Sequence, residues 1–487
     1  MLARSGRKVL VLERHPTRAG GAVASEEATL PGFVHDVGAA FFPFSRVSPA
    51  FAALDLEGAG VEWAKAPLQS CHPAPDGTAA TLSTDDDETA DSFGGADGDA
   101  WRRQMAWHRR VEPRLIDALL GPLPALRPLM RLLPVDLLRF AAVALSSAAG
   151  FAARRFRSEA ARRVLPGLGL HADVGPDDRF GAALGYMLAT SAATTGNVVP
   201  VGGAGAITAA LLRRLTDAGG EVRLGAEARR ILLRDGRPVA VRLADGEEIP
   251  VRGPILADTD AVFLYQQLLV DARLSGRVRR RMDRFRRGWG TFKVDWALSG
   301  PVPWSHPDAA RSAVVHAGDS VDDLRRFTAQ VRAGDLPDHP YLVIGQQSLV
   351  DASRAPPGCH TLWAYSHVPS HLPEGWPARR EAFADRVEAR IEGLAPGFRE
   401  RIRARRIVTP PDLEAFDPNL VGGDLGGGTN AWTNQLVFRP VFPYFRYATP
   451  VPGVYLCSSY AHPGGGVHGM CGFNAAHAAL RARRGGA

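Results

Sequence analysis

Two glycine-rich segments near opposite ends of the chain have the residue types and spacing to bind a negatively charged group. The glycines at 464–466 come shortly before a predicted helix that begins between Gly472 and Asn474. The first N–H groups of a helix are unpaired and carry partial positive charge, so this terminus can stabilise a negative charge. Gly20 and Gly21 lack a Cβ, so their backbone can approach phosphate groups closely.

A predicted strand positions the N-terminal segment. Residues 9–12 (VLVL) form a short, continuous apolar run, which is typical of a parallel strand buried on both faces. Glu13 ends the run, where a dinucleotide-binding fold places the acid that bonds a ribose hydroxyl. Arg14 follows and can neutralise a phosphate. Before the run, LARSG is predicted as the tail of a helix that stops at Gly6.

Further elements are readable from residue 200 onwards. AITAALLRRLTDAGG predicts an amphipathic helix that ends at Gly219, and strands with an Asp245-Gly246 turn follow it. PILAD (254–258) and GVYLC (453–457) predict strands of the main sheet, and NAAHAALRARR (474–484) predicts a closing helix. Residues 76–99 are interpreted as a loop or frayed hairpin, 101–165 as helical, and 379–394 as a surface helix.

Several motifs together resemble one family. KVLVLERHPTRAGGA, PGFVHDVGAAFF, PVGGAGAITAALLRRLTDAGGEVRLGAEARRI, LWAYSHVP, VGGDLGGG and HPGGGVHGMCGFNAAHAA occur in this order along nearly the whole chain. They resemble segments of the FAD-dependent phytoene-desaturase and amine-oxidase group of flavoproteins, and the last motif is the most specific. The resemblance implies an α/β fold: a discontinuous Rossmann-like FAD-binding domain (1–75, 196–260 and 425–487) with a second α+β substrate domain (76–195 and 261–424).

The resemblance also implies which residues hold FAD. Glu13, Arg14, Gly20 and Gly21 match the ribose and pyrophosphate side, and Ala228 matches the position whose backbone meets the adenine. The residues matching the flavin side are Asp36, Gly38, Gly465, Gly466, His468, Gly469, Met470, Gly472 and Asn474. No catalytic residue is predicted, because in flavin chemistry the cofactor itself accepts the hydride.

One element of the family pattern is missing from the sequence. The acidic ribose ligand usually follows a GxGxxG fingerprint by about 20 residues, which would place the fingerprint before Met1. We therefore expect that the first strand and its glycine loop are encoded upstream of the given start. Two alternatives are that the chain is a decayed gene product, or that another segment supplies the strand.

Composition excludes several other functions. The net charge is +7 with a pI of about 9.5, but the arginines are scattered, so we expect no nucleic-acid partner. The four cysteines form no CxxC pair, and His462 and His468 lack a ligand set, so no metal is expected. No signal peptide is recognised, and we expect a cytoplasmic location. The apolar segment 132–153 suits a buried helix or one lying on a membrane surface.

The expected function is desaturation, or another redox change, of an apolar substrate resembling an isoprenoid or carotenoid. Peripheral membrane contact is compatible with such a substrate. Two other hypotheses stay open. The chain could be a non-catalytic, truncated remnant that binds an apolar ligand or a partner, or a flavin-dependent enzyme that catalyses a redox-neutral isomerisation. The sequence indicates neither the electron acceptor nor the oligomeric state.

Overall fold

The chain has 487 residues, and a computed structural model describes residues 1–482. The strands are β1 (Leu10–Leu12), β2 (Ser25–Glu27), β3 (Val34–Asp36), β4 (Trp63–Ala64), β5 (Leu68–Pro73), β6 (Ala79–Leu82), β7 (Val199–Pro200), β8 (Glu221–Arg223), β9 (Ala228–Arg234), β10 (Arg237–Leu243), β11 (Glu248–Pro250), β12 (Ile255–Ala257), β13 (Gly290–Leu298), β14 (Ser312–Ala317), β15 (Leu342–Gly345), β16 (His360–Val368), β17 (Ile402–Val408) and β18 (Val454–Leu456).

Helices connect and cover these strands. They are α1 (Pro49–Leu54), α2 (Asp86–Phe93), α3 (Gly95–Leu120), α4 (Leu126–Met130), α5 (Pro134–Ala144), α6 (Ala148–Arg155), α7 (Glu159–Gly169), α8 (Gly181–Thr194), α9 (Gly205–Asp217), α10 (Ala261–Phe263), α11 (Gly276–Asp283), α12 (Pro307–Arg311), α13 (Val321–Ala333), α14 (Arg380–Glu392), α15 (Phe398–Arg401), α16 (Pro410–Phe416) and α17 (Met470–Ala482).

A seven-stranded sheet forms the largest β element. Its strand order is β17-β13-β16-β15-β14-β5-β6, and every neighbouring pair is antiparallel except β14 and β5. All nine residues of β13 are buried, because apolar clusters cover both faces of the sheet. One cluster joins the sheet to α14, and the other joins it to α13.

Two small parallel sheets lie outside the large one. β1 pairs with β8, and β12 pairs with β18. Leu12 of β1 and Ile255 of β12 pack against the same apolar cluster, which is built from Ala226, Val241 and Leu243. The antiparallel β9–β11 sheet carries that cluster, and its Asp245-Gly246 turn has Gly246 at φ 90°. The predicted parallel pairing of β1 and the predicted turn are both confirmed.

Sequence patterns located several helices correctly. The predicted α9 is present, and Gly219 follows it in the left-handed conformation with φ 75°. Gly6 is left-handed with φ 78° after a short 3-10 turn at Ala3–Ser5, as a helix stop requires. The closing helix is α17, although the last two residues of the prediction, 483 and 484, lie outside the described residues.

Residues 76–99 are more ordered than the predicted loop or frayed hairpin, because they contain one strand of a hairpin and a helix. Residues 79–82 form β6, which pairs with β5, and Asp85 caps α2 by accepting a hydrogen bond from the N–H of Asp87. The polar Asp-rich run was misleading because acidic residues also stabilise the first turn of a helix. Helices α2–α8 then pack into one apolar cluster.

The structure moves two of the expected domain boundaries. The boundary at residue 75 cuts the β5–β6 hairpin, and β5 belongs to the seven-stranded sheet. Residues 261–282, expected in the substrate domain, pack instead with β12, β18 and α17. Both errors have one physical cause: short buried strands and helices take their partners from distant sequence.

Among residues 1–482, no single helix is long and apolar enough to cross a bilayer, and α5 and α6 meet that length and composition only as a pair bent by 118°.

Candidate functional site

The carboxyl ends of β1 and β12 bring acidic residues together. Glu13 follows β1 and Asp258 follows β12. The pKa of Asp258 is raised, first by loss of solvation and then by the nearby charges of Asp417 and Glu13. Glu13 is half-buried, and its carboxylate accepts a hydrogen bond from the N–H of His15 at 2.8 Å. In α/β sheets, ligands bind beyond the carboxyl ends of parallel strands. This edge is therefore a candidate ligand site.

The strand before Glu13 is more exposed than the sequence indicates. Leu10 is 42% and Val11 38% exposed, so the prediction that β1 is buried on both faces is wrong. β1 pairs only with β8, and β12 pairs only with β18, within the described residues. Each strand therefore keeps one edge with unpaired backbone N–H and C=O groups.

The loop after Glu13 has a backbone that requires glycine. Gly20 and Gly21 have φ values of 117° and 52°. A Cβ on Gly20 would lie 2.6 Å from Oγ1 of Thr208, and one on Gly21 would lie 2.8 Å from Oδ2 of Asp417. A Cβ on Gly38 would lie 2.6 Å from the carbonyl oxygen of Ala22, so Gly38 supports this loop by close packing.

Asp36, predicted to lie toward the flavin, is enclosed by protein. Its side chain is 0% exposed. Oδ1 accepts hydrogen bonds from Oγ of Ser25 at 2.6 Å and from the N–H of Ala204 at 2.8 Å, and Oδ2 accepts one from Nη1 of Arg354 at 3.0 Å. Arg354, also 0% exposed, donates a second bond to Asp351 at 2.7 Å. Asp36 therefore fixes the start of α9, and its place beside the flavin stays a prediction.

Arg14 and Ala228 lie beside Glu13 without a strong side-chain bond. Nε of Arg14 is 3.8 Å from Glu227, and the Arg14 side chain is 48% exposed. Ala228 is the half-buried first residue of β9, and the N–H of Ala226, two residues earlier, donates to the carbonyl of Glu13 at 2.7 Å. The structure thus brings together Glu13, Arg14 and the start of β9.

The C-terminal glycines surround the start of α17. Gly465, Gly466 and Gly469 are exposed, and a Cβ on Gly472 would meet no atom within 4 Å. The first turn of α17 therefore faces open space at Gly472. The loop is held from the N-terminal side, because Oγ of Ser48 donates a hydrogen bond to the carbonyl of His468.

Three residues predicted on the flavin side have buried side chains. Nδ1 of His468 accepts a hydrogen bond from the N–H of Met470 at 3.0 Å, and burial lowers the pKa of His468 to about 4. Met470 packs in the helical cluster, and Nδ2 of Asn474 donates to the carbonyl of Leu120 at 2.9 Å. These three side chains therefore support the loop, whereas the glycines form its open surface. The contacts of the three residues with the flavin stay a prediction.

A buried arginine behind the loop was not predicted. Arg439 is 0% exposed, and it donates to the carbonyls of Gly426, Gly427 and Ser459, while its Nη1 has no hydrogen-bond partner. A Cβ on Gly464 would lie 3.2 Å from its guanidinium carbon. The positive charge of Arg439 thus lies directly behind the glycine loop. The chain contains many arginines, and no sequence pattern distinguishes Arg439 as the one that lies behind the loop.

Comparison with known proteins identifies the family of this chain. The Flavin containing amine oxidoreductase family matches residues 1–262, which is more than half of the chain. The chain belongs to this family. FAD is therefore its cofactor, as the sequence motifs predict.

Individual relatives agree with this assignment. The chain is 32% identical over 260 residues to pyridine nucleotide-disulfide oxidoreductase domain-containing protein 2 of Mus musculus, covering 51% of this chain and 44% of that protein. It is 27% identical over 288 residues to phytoene desaturase (lycopene-forming) of Pseudescherichia vulneris, covering 58% and 55%. The chain thus spans about half the length of these curated relatives. An oxidoreductase from Methanosarcina mazei shares the fold, with a TM-score of 0.66, 14% identity, and coverage of 99% of this chain and 96% of that one.

The open residues of this flavoprotein fit FAD at two places. The space at Gly472 and the exposed glycines before it leave room for a flat ring against the start of α17. Glu13 presents a carboxylate that suits ribose hydroxyl groups. The acids Asp258 and Asp417, in contrast, disfavour a nearby phosphate while they are ionised.

Asp258 gives this edge a measurable pH dependence. Its side chain is exposed at the surface, although nearby protein atoms displace part of its solvent. This partial loss of solvation, together with the charges of Asp417 and Glu13, raises the pKa of Asp258 from 3.8 to about 6. A carboxyl group whose pKa is higher in the folded than in the unfolded state destabilises the fold when it is ionised. The loss in free energy of unfolding is therefore complete above about pH 6, and it disappears as the pH falls toward 3.8.

We therefore expect Asp258→Asn to raise the melting temperature by roughly 1–2 °C at about pH 8, with the gain disappearing near about pH 4. Thermal denaturation across this pH range measures the difference from the wild type. Asp335→Asn is the control, because Asp335 is exposed and remote from this edge. Equal melting temperatures of wild type and Asp258→Asn at about pH 8 would contradict the expectation.

Proposed function

We propose that this protein is an FAD-dependent oxidoreductase that desaturates or otherwise oxidises an apolar, isoprenoid-like substrate. The proposal rests mainly on a row of aromatic side chains along one face of β16. Its members are Phe41, Trp363, Tyr365, His367 and Trp289. The phytoene desaturase relative, which acts on a substrate of this class by its name, supports the same choice.

The row has regular spacing. Ring centroids are 6.0 Å apart between Phe41 and Trp363, and 5.7 Å apart both between Trp363 and Tyr365 and between Tyr365 and His367. The period of two along a strand places Trp363, Tyr365 and His367 on the same face of β16. Trp363 and His367 are buried, whereas Phe41 and Tyr365 are partly exposed, so a ligand can contact the row at these two rings.

The row begins close to the C-terminal glycine loop. Phe44, three residues after Phe41, lies 3.3 Å from where a Cβ on Gly466 would be. Nε1 of Trp363 and Nε2 of His367 are buried without a hydrogen-bond partner. Unsatisfied polar atoms inside an aromatic lining are typical of a ligand site, because a few polar groups there fix the ligand's orientation.

Bound FAD supplies the electron acceptor for oxidation of the substrate. The protein residues bind and orient the substrate and the cofactor. The aromatic row excludes water and positions an apolar chain, and Arg439 with the start of α17 presents positive charge at the glycine loop. Burial lowers the pKa of both His462 and His468 to about 4, so these two side chains are neutral at physiological pH.

We also propose that one further parallel strand fits beside the unpaired edges of β1 and β12. The two strands pack on one cluster, and Glu13 and Asp258 at their carboxyl ends interact. A strand and glycine loop there would add the helix terminus that binds pyrophosphate in dinucleotide folds. The test compares FAD retention after desalting by the chain and by a version extended with the codons upstream. Equal retention by both would contradict the need for this strand.

Flavin absorbance in the absence of oxygen tests the reaction. An isoprenoid hydrocarbon is expected to bleach the flavin spectrum of the FAD-loaded protein, whereas an alkylamine is not. Tyr365→Ala is expected to slow the bleaching at least about tenfold, because its ring contributes to the apolar contact area. Phe445→Ala is the matched control, since Phe445 stacks on Phe442 outside the row.

Three other outcomes would each reject the proposed function and favour a different one. Bleaching by the alkylamine alone would make the protein an amine oxidase. Product formed with no net electron transfer would favour the redox-neutral isomerase. A folded, extended protein that retains no FAD would favour the non-catalytic remnant.

A further inference from the structure

One face of the helical region exposes large apolar side chains on successive helical turns. It comprises α4, α5 and the residues that join and follow them. The most exposed are Met130 at 75%, Leu138 at 71% and Leu145 at 65%. Leu126, Leu133 and Val135 are also more than half exposed. Val135, Leu138 and Leu145 are spaced to share one side of α5. We call this surface the α4–α5 face.

The charges on the α4–α5 face all have one sign. Arg127, Arg131 and Arg139 are exposed, and none forms a salt bridge within residues 1–482. Between residues 121 and 149, the only acidic residue is Asp136. It is 1% exposed, and its carboxylate accepts hydrogen bonds from Nε1 of Trp107 and from Arg110. The surface therefore combines apolar side chains with unpaired positive charge.

Aromatic residues extend the α4–α5 face beyond α5. The carbonyl of Ser146, next to Leu145, accepts a hydrogen bond from the N–H of Ala182 at 3.2 Å. Close to Ala182, Phe180 contacts Trp432 with ring centroids 5.8 Å apart, and Trp432 is 51% exposed. Tryptophan favours the interface between water and lipid, where its apolar ring and polar N–H are both satisfied.

We propose that the α4–α5 face docks on the surface of a membrane that contains anionic lipid. The exposed leucine and methionine side chains enter the edge of the acyl region, and the three arginines bind lipid phosphates. With 5 and 11 residues, α4 and α5 suit lying in the plane of the interface. A second copy of the chain fits less well, because a symmetric contact would bring two sets of three arginines into one interface with no exposed carboxylate on either face. The proposal does not depend on the proposed oxidation.

Vesicle flotation tests the docking. We expect the wild type to float with vesicles that mix phosphatidylcholine and phosphatidylglycerol, and less with pure phosphatidylcholine. Met130→Asp combined with Leu138→Asp is expected to lower the partition coefficient about 100-fold, about tenfold for each lost apolar contact. Val270→Asp is the matched control and is expected to bind like the wild type, because Val270 is 56% exposed but lies outside this face.

A charge variant separates the electrostatic contribution to vesicle binding from the apolar contribution. Replacing Arg127, Arg131 and Arg139 by glutamine is expected to remove the preference for phosphatidylglycerol and the sensitivity of binding to salt. The proposal is overturned if the wild type does not float, or if the Met130 and Leu138 double variant floats equally well. Sedimentation that shows a wild-type dimer, converted to a monomer by the double variant, would instead make this face an interface between copies.

Discussion

Replacing Gly472 with leucine is expected to abolish FAD retention while the fold stays intact. Gly472 lies in the first turn of α17, and a Cβ there meets no protein atom within 4 Å. A side chain can therefore start from this position without a clash at its Cβ, and a leucine there extends into the space that we assign to the flavin. We expect binding at least about 100-fold weaker, about 2.7 kcal/mol. Flavin absorbance after desalting measures the loss.

A smaller substitution at the same position should stabilise the fold. Gly472→Ala is expected to raise the free energy of unfolding of the protein without FAD by about 0.5–1 kcal/mol, because glycine is a poor helix residue. Gly393→Leu is the control: Gly393 is exposed with φ −64°, and its Cβ would meet backbone atoms only at 3.6 Å. Full FAD retention by Gly472→Leu would remove Gly472 from the cofactor site.

Arg354→Ala is expected to destabilise the fold by about 3–5 kcal/mol, since it leaves two buried carboxylates without their cation. Arg354 and Asp36 are both 0% exposed, and Arg354 joins Asp36 to Asp351 at 3.0 and 2.7 Å. Asp351 in turn accepts a hydrogen bond from the N–H of Gly202, so the three side chains hold the loop before α9. Chemical denaturation of the soluble protein measures the change.

Two further variants make this test specific. Arg230→Ala removes an exposed pair with Asp271 and is expected to leave the free energy of unfolding close to that of the wild type, because solvent screens exposed ion pairs. The other is a triple variant that removes all three charges and combines Asp36→Asn, Asp351→Asn and Arg354→Met. It is expected to recover most of the stability lost in Arg354→Ala, because no buried charge is left unpaired. A loss of less than about 1 kcal/mol in Arg354→Ala would show that water or another cation replaces the guanidinium.

The parts of the structure that the sequence predicts have local causes. The amphipathic period of α9 with the stop at Gly219, and the glycines at 20 and 21, can each be read from neighbouring residues. The family motifs also include Glu13 and the glycines around α17, whose contacts with FAD stay a prediction. Such features depend on helical period and on left-handed backbone, and both leave a signature within a few residues.

The parts that were missed depend on distant partners. The sequence did not indicate that Arg354, which lies more than 300 residues later, neutralises Asp36. The aromatic row needs the register of β16 against its neighbours, which one sequence does not fix. β5 was placed in the wrong domain because its neighbour in the sheet is β14. Short buried segments carry little information about which segment pairs with them.

The pairing of β5 with β14 has a consequence for synthesis of the chain. About 240 residues separate these neighbours, so at common translation rates roughly 12–50 s pass before β14 emerges after β5. During that interval the edge of β5 that will pair with β14 has unpaired backbone N–H and C=O groups, and such edges promote aggregation. We therefore expect the soluble yield to rise when the chain is expressed slowly, at low temperature, or with added chaperones.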